Sequence, residues 1–319
     1  MHTSRRRKLR LLALTVAAPL ALVAAARLFN PNAIRAAIDR QGRRLASQFA
    51  PKRLDTPPPW ATRSDPPLAT FAVLADNHYD DSGKLRWAAP TRTRLIKACH
   101  FLNQHIKPQW VLLLGDIISR EEAPEQLRHV KALLDEHLRA PYHAIAGNHD
   151  GPGYEKVFGP SNYSVRRGGI RFVGIGINYW HWDSGWGNYG RMDWLAAQLA
   201  AHRAEPTIIL THNPICIPTF LNSGAVCQLV ESQPQVIGIF AGHMHVDYQV
   251  LQAKPHLGMP MLVRPPYAFK VCRVHADRIL IFTYEEGPKG TYRQAPIYQK
   301  LDIPEACRPS RPAAAKAGQ

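Results

Sequence analysis

The chain of 319 residues is 45% hydrophobic, 20% charged and 9% aromatic, which excludes a disordered or fibrous polymer and suffices for one large α/β domain with extensions. Its formal charge of +16 suggests a nucleic-acid binder until it is located: residues 1–53 carry 12 Lys/Arg against one acid, Asp39, and residues 307–319 carry three Lys/Arg and no acid. The remaining 25 basic and 23 acidic residues leave the body near neutral, so no nucleic acid is expected as a partner.

Residues 1–26 read as a signal peptide or membrane anchor. Arg5, Arg6, Arg7, Lys8 and Arg10 precede 16 uncharged residues, 11–26, that end in Ala24-Ala25-Ala26. A basic start, an apolar middle and a small-residue end are the parts of a secretory signal. The string Ser4-Arg5-Arg6-Arg7-Lys8-Leu9 also resembles a twin-arginine export signal, with Lys8 where an aromatic is usual. The run falls short of the roughly 20 residues a spanning helix needs, and Pro19 interrupts it. The expectation is export to the periplasm, with an inner-membrane anchor as the alternative.

Residues 27–60 read as a basic amphipathic segment followed by a Pro-rich linker. Ile34, Ile38, Leu45 and Phe49 share one helical stripe, with Arg35, Arg40, Arg43 and Arg44 elsewhere. Such a helix either lies on an anionic membrane surface or packs on the flank of the domain. Pro57-Pro58-Pro59 is stiff. Residues 61–303 are left as the folded domain, and 304–319 read as a disordered tail. Of the five cysteines, Cys216 and Cys227 flank a short Pro- and Gly-containing stretch. They form a disulfide or serve as small buried hydrophobes.

From Thr70 the pattern becomes regular. Residues 71–75 (FAVLA), 110–114 (WVLLL), 142–146 (YHAIA), 208–210 within TIILT, and 236–240 (VIGIF) are short apolar runs, as strands buried on both faces should be. Leu95, Cys99, Leu102 and Ile106 share a helical face between the first two runs. Leu127, Val130, Leu134 and Leu138 share one between the next two, with Glu121 and Glu122 suited to its first turn. Trp194, Leu195 and Leu199 mark a helix before TIILT. This alternation predicts a mostly parallel, helix-covered sheet. Residues 246–303 lack helical periodicity and offer β-like stretches instead.

The residues at the end of each run carry the chemistry. FAVLA is followed by Asp76-Asn77-His78, WVLLL by Gly115-Asp116, and YHAIA by Gly147-Asn148-His149-Asp150; TIILT leads to His212, and VIGIF to His243-Met244-His245. Ligands in open α/β sheets bind outside the carboxyl ends of the strands. Five neighbouring ends therefore offer carboxylates, a carboxamide and imidazoles to one pocket, more than one tetrahedral ion uses and a mixture suited to Zn, Fe or Mn. Asp150 reads as a partner of His149 or as the cap of the turn beyond it.

The ordered set D-x-H, G-D, G-N-H-D, H and G-H-x-H resembles the calcineurin-like metallophosphoesterases, over about residues 70–284. Tyr163-Ser164 and residues 170–177 and 190–195 resemble that family's bacterial phosphodiesterase branch, including the class III cyclic-nucleotide phosphodiesterases. One departure is Ile118-Ser119-Arg120-Glu121 after Gly115-Asp116, without the glycine often found there. The resemblance implies a four-layer αββα sandwich of two mixed β-sheets flanked by helices. It implies two divalent ions, the first held by Asp76, His78 and His245, the second by Asn148, His212 and His243, with Asp116 bridging. A water shared by two such ions has its pKa lowered to about 7, and the hydroxide so made available attacks phosphorus in line. His149 matches the family's non-ligand histidine near the leaving group, where it acts as general acid.

Specificity belongs to the loops. Residues 179–189 hold five aromatics and several glycines, either as a stacking platform for substrate or as a hydrophobic plug. Asn213 and residues 216–227 form the opposite wall. Asn77, His181, Trp182 and Asn213 are the candidate substrate contacts. The reading is an exported phosphoesterase acting on a small phosphorylated substrate, a phosphodiester before a monoester. A phosphatase or pyrophosphatase of membrane lipid or nucleotide-sugar phosphates is the enzymatic alternative. A binding or scaffold protein predicts a lost ligand or a lost His149, and the sequence has neither.

Overall fold

In the computed structural model, which describes residues 31–81, 91–121, 123–181, 186–217 and 219–308, every one of the five apolar runs is a strand. In chain order the strands are β1 (Ala69–Leu74), β2 (Trp110–Leu114), β3 (Tyr142–Ile145), β4 (Tyr163–Arg167), β5 (Ile170–Ile175), β6 (Asn178–His181), β7 (Trp186–Asn188), β8 (Thr207–Thr211), β9 (Val236–Ala241), β10 (Tyr248–Leu251), β11 (Pro255–Gly258), β12 (Ala268–Val274), β13 (Arg278–Glu286) and β14 (Tyr292–Asp302). The helices are α1 (Pro31–Ser47), α2 (Thr91–Phe101, continued by a π turn over Leu102–Ile106), α3 (Glu125–His137), α4 (Tyr154–Phe158), α5 (Met192–Ala201) and α6 (Ser223–Glu231).

Alternation alone predicts one mostly parallel sheet, but the strands divide between two. The first has the order β14-β13-β12-β1-β2-β3 and the second β10-β11-β9-β8-β5-β4; β6 and β7 form a separate pair. β1, β2 and β3 run parallel, as do β5, β8, β9 and β11. Residues beyond 246 supply the antiparallel half of the first sheet, β12 to β14.

Side-chain alternation along each strand then separates the layers. Phe71, Val73, Leu112 and Leu114 point between the sheets and meet Phe172, Ile208, Leu210 and Phe240. Their neighbours Ala72, Leu74, Val111 and Leu113 point outward against Leu95 and Cys99 of α2 and Leu127, Val130 and Leu134 of α3. On the far side, Val173, Ile175, Ile209 and Ile239 pack on Leu195 and Leu199 of α5 and Val226 and Val230 of α6. The result is the αββα sandwich.

Several local expectations need correction. α3 begins at Glu125 behind Pro124, not at Glu121, because Pro124 supplies a fixed φ and needs no N–H donor at the helix start; Glu122 lies outside the described residues. Of the two readings of Cys216 and Cys227 the disulfide is not formed and the other holds, both being free thiols with Cys227 buried. The segment after α1 is more than a linker: Leu54 N–H donates to Pro296 O at 2.8 Å, and Arg53 pairs with Glu285 at 2.9 Å. Glu305–Cys307 forms a 3-10 turn with Cys307 buried in the inter-sheet core, so the folded chain passes the boundary expected at 303. α1 packs on the domain through Gly42 and Ala46, small residues outside the expected stripe, while Leu45 and Phe49 are half-buried. The side chains of Ile34 and Ile38, residues 1–30 with the export signal, and residues 309–319 lie outside the described part of the chain. No helix among the described residues is long and apolar enough to cross a membrane.

One buried charge pins the end of the sandwich. Lys270 of β12 is fully buried and donates to both carboxylate oxygens of Asp247 at 2.8 Å, to Thr283 Oγ1 at 3.1 Å and to Gln299 Oε1 at 2.6 Å. Asp247 lies two residues after His245, so this pair ties the loop following β9 to the opposite sheet. Removing one partner of a buried pair strands the other charge. Asp247→Ala should therefore lower the unfolding free energy by about 3–5 kcal/mol, whereas Arg53→Ala, at a half-exposed pair, should cost about 0–1 kcal/mol. Urea denaturation of the two variants checks the contrast, and equal costs would contradict it.

Candidate metal centre

Parallel pairing aligns the ends that carry the motifs. Leu74 is level with Leu113, and Leu114 with Ile145, so the residues after β1, β2 and β3 leave at one edge. Thr211 level with Ala241 does the same for β8 and β9. The turns there are sharp. Among the described residues seven non-glycine residues have positive φ, and five of them are Asp76 (53°), His78 (45°), Asp116 (49°), His243 (64°) and His245 (58°). A left-handed conformation costs a residue with a Cβ roughly 1–2 kcal/mol, and such strain collects where function over-determines the backbone. Two glycines permit the crowding. A Cβ on Gly115, at φ 80°, would lie 2.6 Å from Gly147 N and 2.7 Å from His212 Nδ1; one on Gly147 would collide with the Asp116 backbone N and carboxylate.

The side chains form two groups that share one carboxylate. Asp76, His78, Asp116 and His245 offer ligand atoms within 4.8 Å of one another, and so do Asp116, His212 and His243. In the first group His78 Nε2 is 3.2 Å from His245 Nε2 and 3.4 Å from Asp116 Oδ2, and His245 Nε2 is 3.3 Å from Asp76 Oδ1. In the second, His212 Nε2 is 3.2 Å from the same Asp116 Oδ2. His212 Nδ1 donates to Leu114 O at 2.7 Å, which fixes the ring with Nε2 facing Asp116.

The donor set fits divalent cations. Asp76 Oδ2 and His212 Nε2 are buried with no hydrogen-bond partner, an expensive arrangement that a cation relieves. Carboxylate and imidazole donors suit such ions. The charges are strongly coupled. Burial alone would raise Asp116, but the imidazoles of His212, His149 and His78 outweigh it and hold the carboxyl well below its usual range. Burial pulls His212 down, yet the Asp116 carboxylate pushes the imidazole up to about 9. His78 is held well below its ordinary value, chiefly by burial.

Backbone donors hold these groups in place. Asp116 Oδ1 accepts His149 N–H at 2.9 Å, and Asp76 Oδ1 accepts His243 N–H at 3.0 Å. His149 is half-buried, its ring 5.0 Å from that of His78, and Asn148 beside it is buried. Asp150 is neither a partner of His149 nor a cap of the turn beyond it. Its Oδ1 accepts Ile117 N–H at 2.7 Å and Ile118 N–H at 3.0 Å, and its Oδ2 accepts Gly147 N–H at 2.7 Å. It thereby clamps the loops after β2 and β3 together. Burial and the Asp116 charge push its carboxyl up to about 7 against the pull of those N–H groups. After Gly115-Asp116 no glycine is required: Ser119 N–H donates to Tyr79 O at 3.0 Å and Ser119 Oγ to His78 O at 2.7 Å.

The proposed substrate contacts are spread more widely. Asn77 is buried and its Nδ2 donates to Ile117 O at 3.3 Å. Asn213 is fully buried and accepts the Tyr179 hydroxyl at 2.5 Å. The His181 side chain and Trp182 lie outside the described residues. Of the aromatics around them, Tyr179 and Tyr189 are buried in the outer core while Trp180 is 57% exposed. Away from the centre, Cys227, Glu231 and His256 converge, and His256 Nε2 sits 2.8 Å from Glu231 Oε1. Sequence reasoning missed one residue at the centre itself. Asp39 of α1 places Oδ1 3.3 Å from His243 Nε2; its only signal was being the one acid in a strongly basic segment.

Paired clusters of this kind, at the carboxyl ends of parallel strands in an αββα sandwich, define a metal-dependent hydrolase. The calcineurin-like phosphoesterase family profile matches residues 69–247, more than half of the chain, and the chain belongs to that family. It is 22% identical over 213 residues to a probable cyclic nucleotide phosphodiesterase of Colwellia psychrerythraea, covering 61% of this chain and 77% of that protein. It is 25% identical over 207 residues to a 3',5'-cyclic-nucleotide phosphodiesterase of Nostoc sp., covering 60% and 77%. A dimetal phosphatase of Danio rerio has the same fold, with a TM-score of 0.58 and 18% identity over 75% of this chain and all of that one. The chain is therefore a metal-dependent phosphoric ester hydrolase.

Asp150 offers a test of the clamp. Asp150→Asn keeps the shape but turns an amide toward backbone donors, and supports behind metal ligands typically contribute about 10–100-fold in metal affinity. Calorimetric titration of chelator-treated protein with Mn²⁺ should show a loss of that size. Unchanged affinity would mean that the loops are held without the clamp.

Proposed function

We propose that the chain is an exported phosphodiesterase with two divalent ions, Mn, Fe or Zn, that hydrolyses a small phosphodiester. The observation that carries this reading is the Asp116 carboxylate common to two clusters whose members leave four strand ends, most of them with strained backbone. Two relatives named as cyclic nucleotide phosphodiesterases support the diester preference. The basic start and apolar run of residues 1–26 support export. Mass spectrometry of the protein from a periplasmic fraction should find a mature N-terminus near Ala26; an intact N-terminus in the membrane fraction would favour the anchor instead.

Divalent ions at such a centre, when bound, acidify a water and supply positive charge to phosphoryl oxygens. The chain's own residues do the rest. Asp116 serves both clusters with one side chain and receives the His149 N–H, which couples the position of the general acid to that of the ligands. The His149 imidazole, half-buried beside His78, donates a proton to the departing oxygen. His212, fixed through Leu114 O, directs its Nε2 toward the shared Asp116 carboxylate.

After chelation and reloading with Mn²⁺, Fe²⁺ or Zn²⁺, the protein should cleave bis(p-nitrophenyl) phosphate faster than p-nitrophenyl phosphate. Asp116→Asn should lower kcat/KM by at least about 100-fold, since a shared ligand matters more than the outer supports that already contribute 10–100-fold. Faster monoester cleavage would favour a phosphatase. Metal uptake without turnover on either ester would favour a binding role.

A further inference from the structure

α1 lies outside the residues that match the family, 69–247, yet it reaches the metal centre. Asp39, Gly42 and Ala46 fall on one face at helical spacing, and that face is the one laid on the protein. Ala46 is buried with Ile217, Met244, Tyr248 and Val250. A Cβ on Gly42 would lie 3.2 Å from both Sδ and Cε of Met244, so the helix rides directly on the residue between the ligands His243 and His245. Just beyond the helix, Gln249 N–H donates to Phe49 O at 3.0 Å. Arg40 and Arg44 point away and are exposed. The seat is thus fixed by small residues, and at its far end Asp39 Oδ1 stands 3.3 Å from His243 Nε2, with the two side chains only 16% and 6% exposed.

We propose that Asp39 is a positioning residue for the second cluster, acting through His243. A carboxylate can only accept, so the ring proton of neutral His243 resides on Nε2 and Nδ1 keeps the lone pair. Carboxylates behind metal-binding histidines fix tautomer and ring orientation and raise ligand basicity. A mostly buried anion also lowers the cost of gathering cations nearby. The basic segment retains one acid, and it sits where an imidazole needs an acceptor. The proposal rests on the reading that two divalent ions bind, and it makes α1 part of the centre.

The full-length chain and its variants Asp39→Asn, Asp39→Ala, Asp39→Glu and Arg44→Ala would be stripped with chelator and titrated with Mn²⁺ by calorimetry and with Co²⁺ by visible absorption. Wild type should bind two ions. Asp39→Asn and Asp39→Ala should weaken one site about 10–100-fold and leave the other unchanged, with a matching change confined to part of the Co²⁺ spectrum. Asp39→Glu should recover part of the loss, and Arg44→Ala should bind as wild type. A loss confined to one site separates positioning from partial unfolding, which weakens both. Wild-type affinities in both Asp39→Asn and Asp39→Ala would overturn the proposal, and tighter binding would recast Asp39 as an obstructing carboxylate. A wild-type protein that takes up only one ion would instead overturn the two-ion reading beneath it.

Discussion

Everything near the centre answers to one constraint: six carboxylate and imidazole side chains from four strand ends must meet within a few ångströms. The chain meets it by turning the backbone left-handed at Asp76, His78, Asp116, His243 and His245, at roughly 1–2 kcal/mol each. The strain persists because each turn is held from outside. Asp76 N–H donates to Gly115 O at 3.1 Å, His78 N–H to Asp116 O at 2.8 Å, and the carboxylates of Asp76, Asp116 and Asp150 collect the N–H groups of His243, His149, Gly147, Ile117 and Ile118. Two of these acids, Asp76 and Asp116, thus belong to the clusters and also hold the turns that aim them.

Period and position were enough to find much of this. Nearly continuous apolar runs mark strands buried on both faces, and polar ligand types directly after each run mark strand ends that face a ligand. What stayed hidden depends on long-range placement. Assigning β1 to one sheet and β8 to another requires knowing that Phe71 meets Phe172 across the core, and no local pattern says so. Asp150 could be read only against its neighbours in sequence, whereas two of its three donors lie more than thirty positions away. The buried stripe of α1 is made of Gly42 and Ala46, which contribute little to an apolar pattern and matter because they let Met244 approach. Asp39 was visible as an oddity of charge, but its target is 204 residues distant.

The two clusters also divide unevenly between the sheets, and this links packing to chemistry. Asp76, His78 and Asp116 follow strands of the first sheet, while His212, His243 and His245 follow strands of the second. Yet His245 belongs with Asp76 and His78, and Asp116 belongs with His212 and His243 as well as with its own sheet. Each cluster therefore needs both halves of the sandwich in register. A slide of one sheet over the other by even an ångström would spoil both, because metal–ligand distances tolerate only about 0.2 Å.

That dependence gives the buried polar pin its meaning. An aliphatic core between the sheets resists separation, but area burial is non-directional and sets no register. Lys270 does, because its ammonium must reach Asp247, Thr283 and Gln299 at once. Asp247 is joined to His245 through a single residue, so the restraint acts next to a ligand that crosses between the sheets. α1 adds a second restraint on the same loop, seated on Met244 and touching His243. The loop after β9 is thus gripped from the opposite sheet on one side and from the N-terminal helix on the other. It is also the loop whose two histidines serve different clusters, where a small displacement would do the most damage.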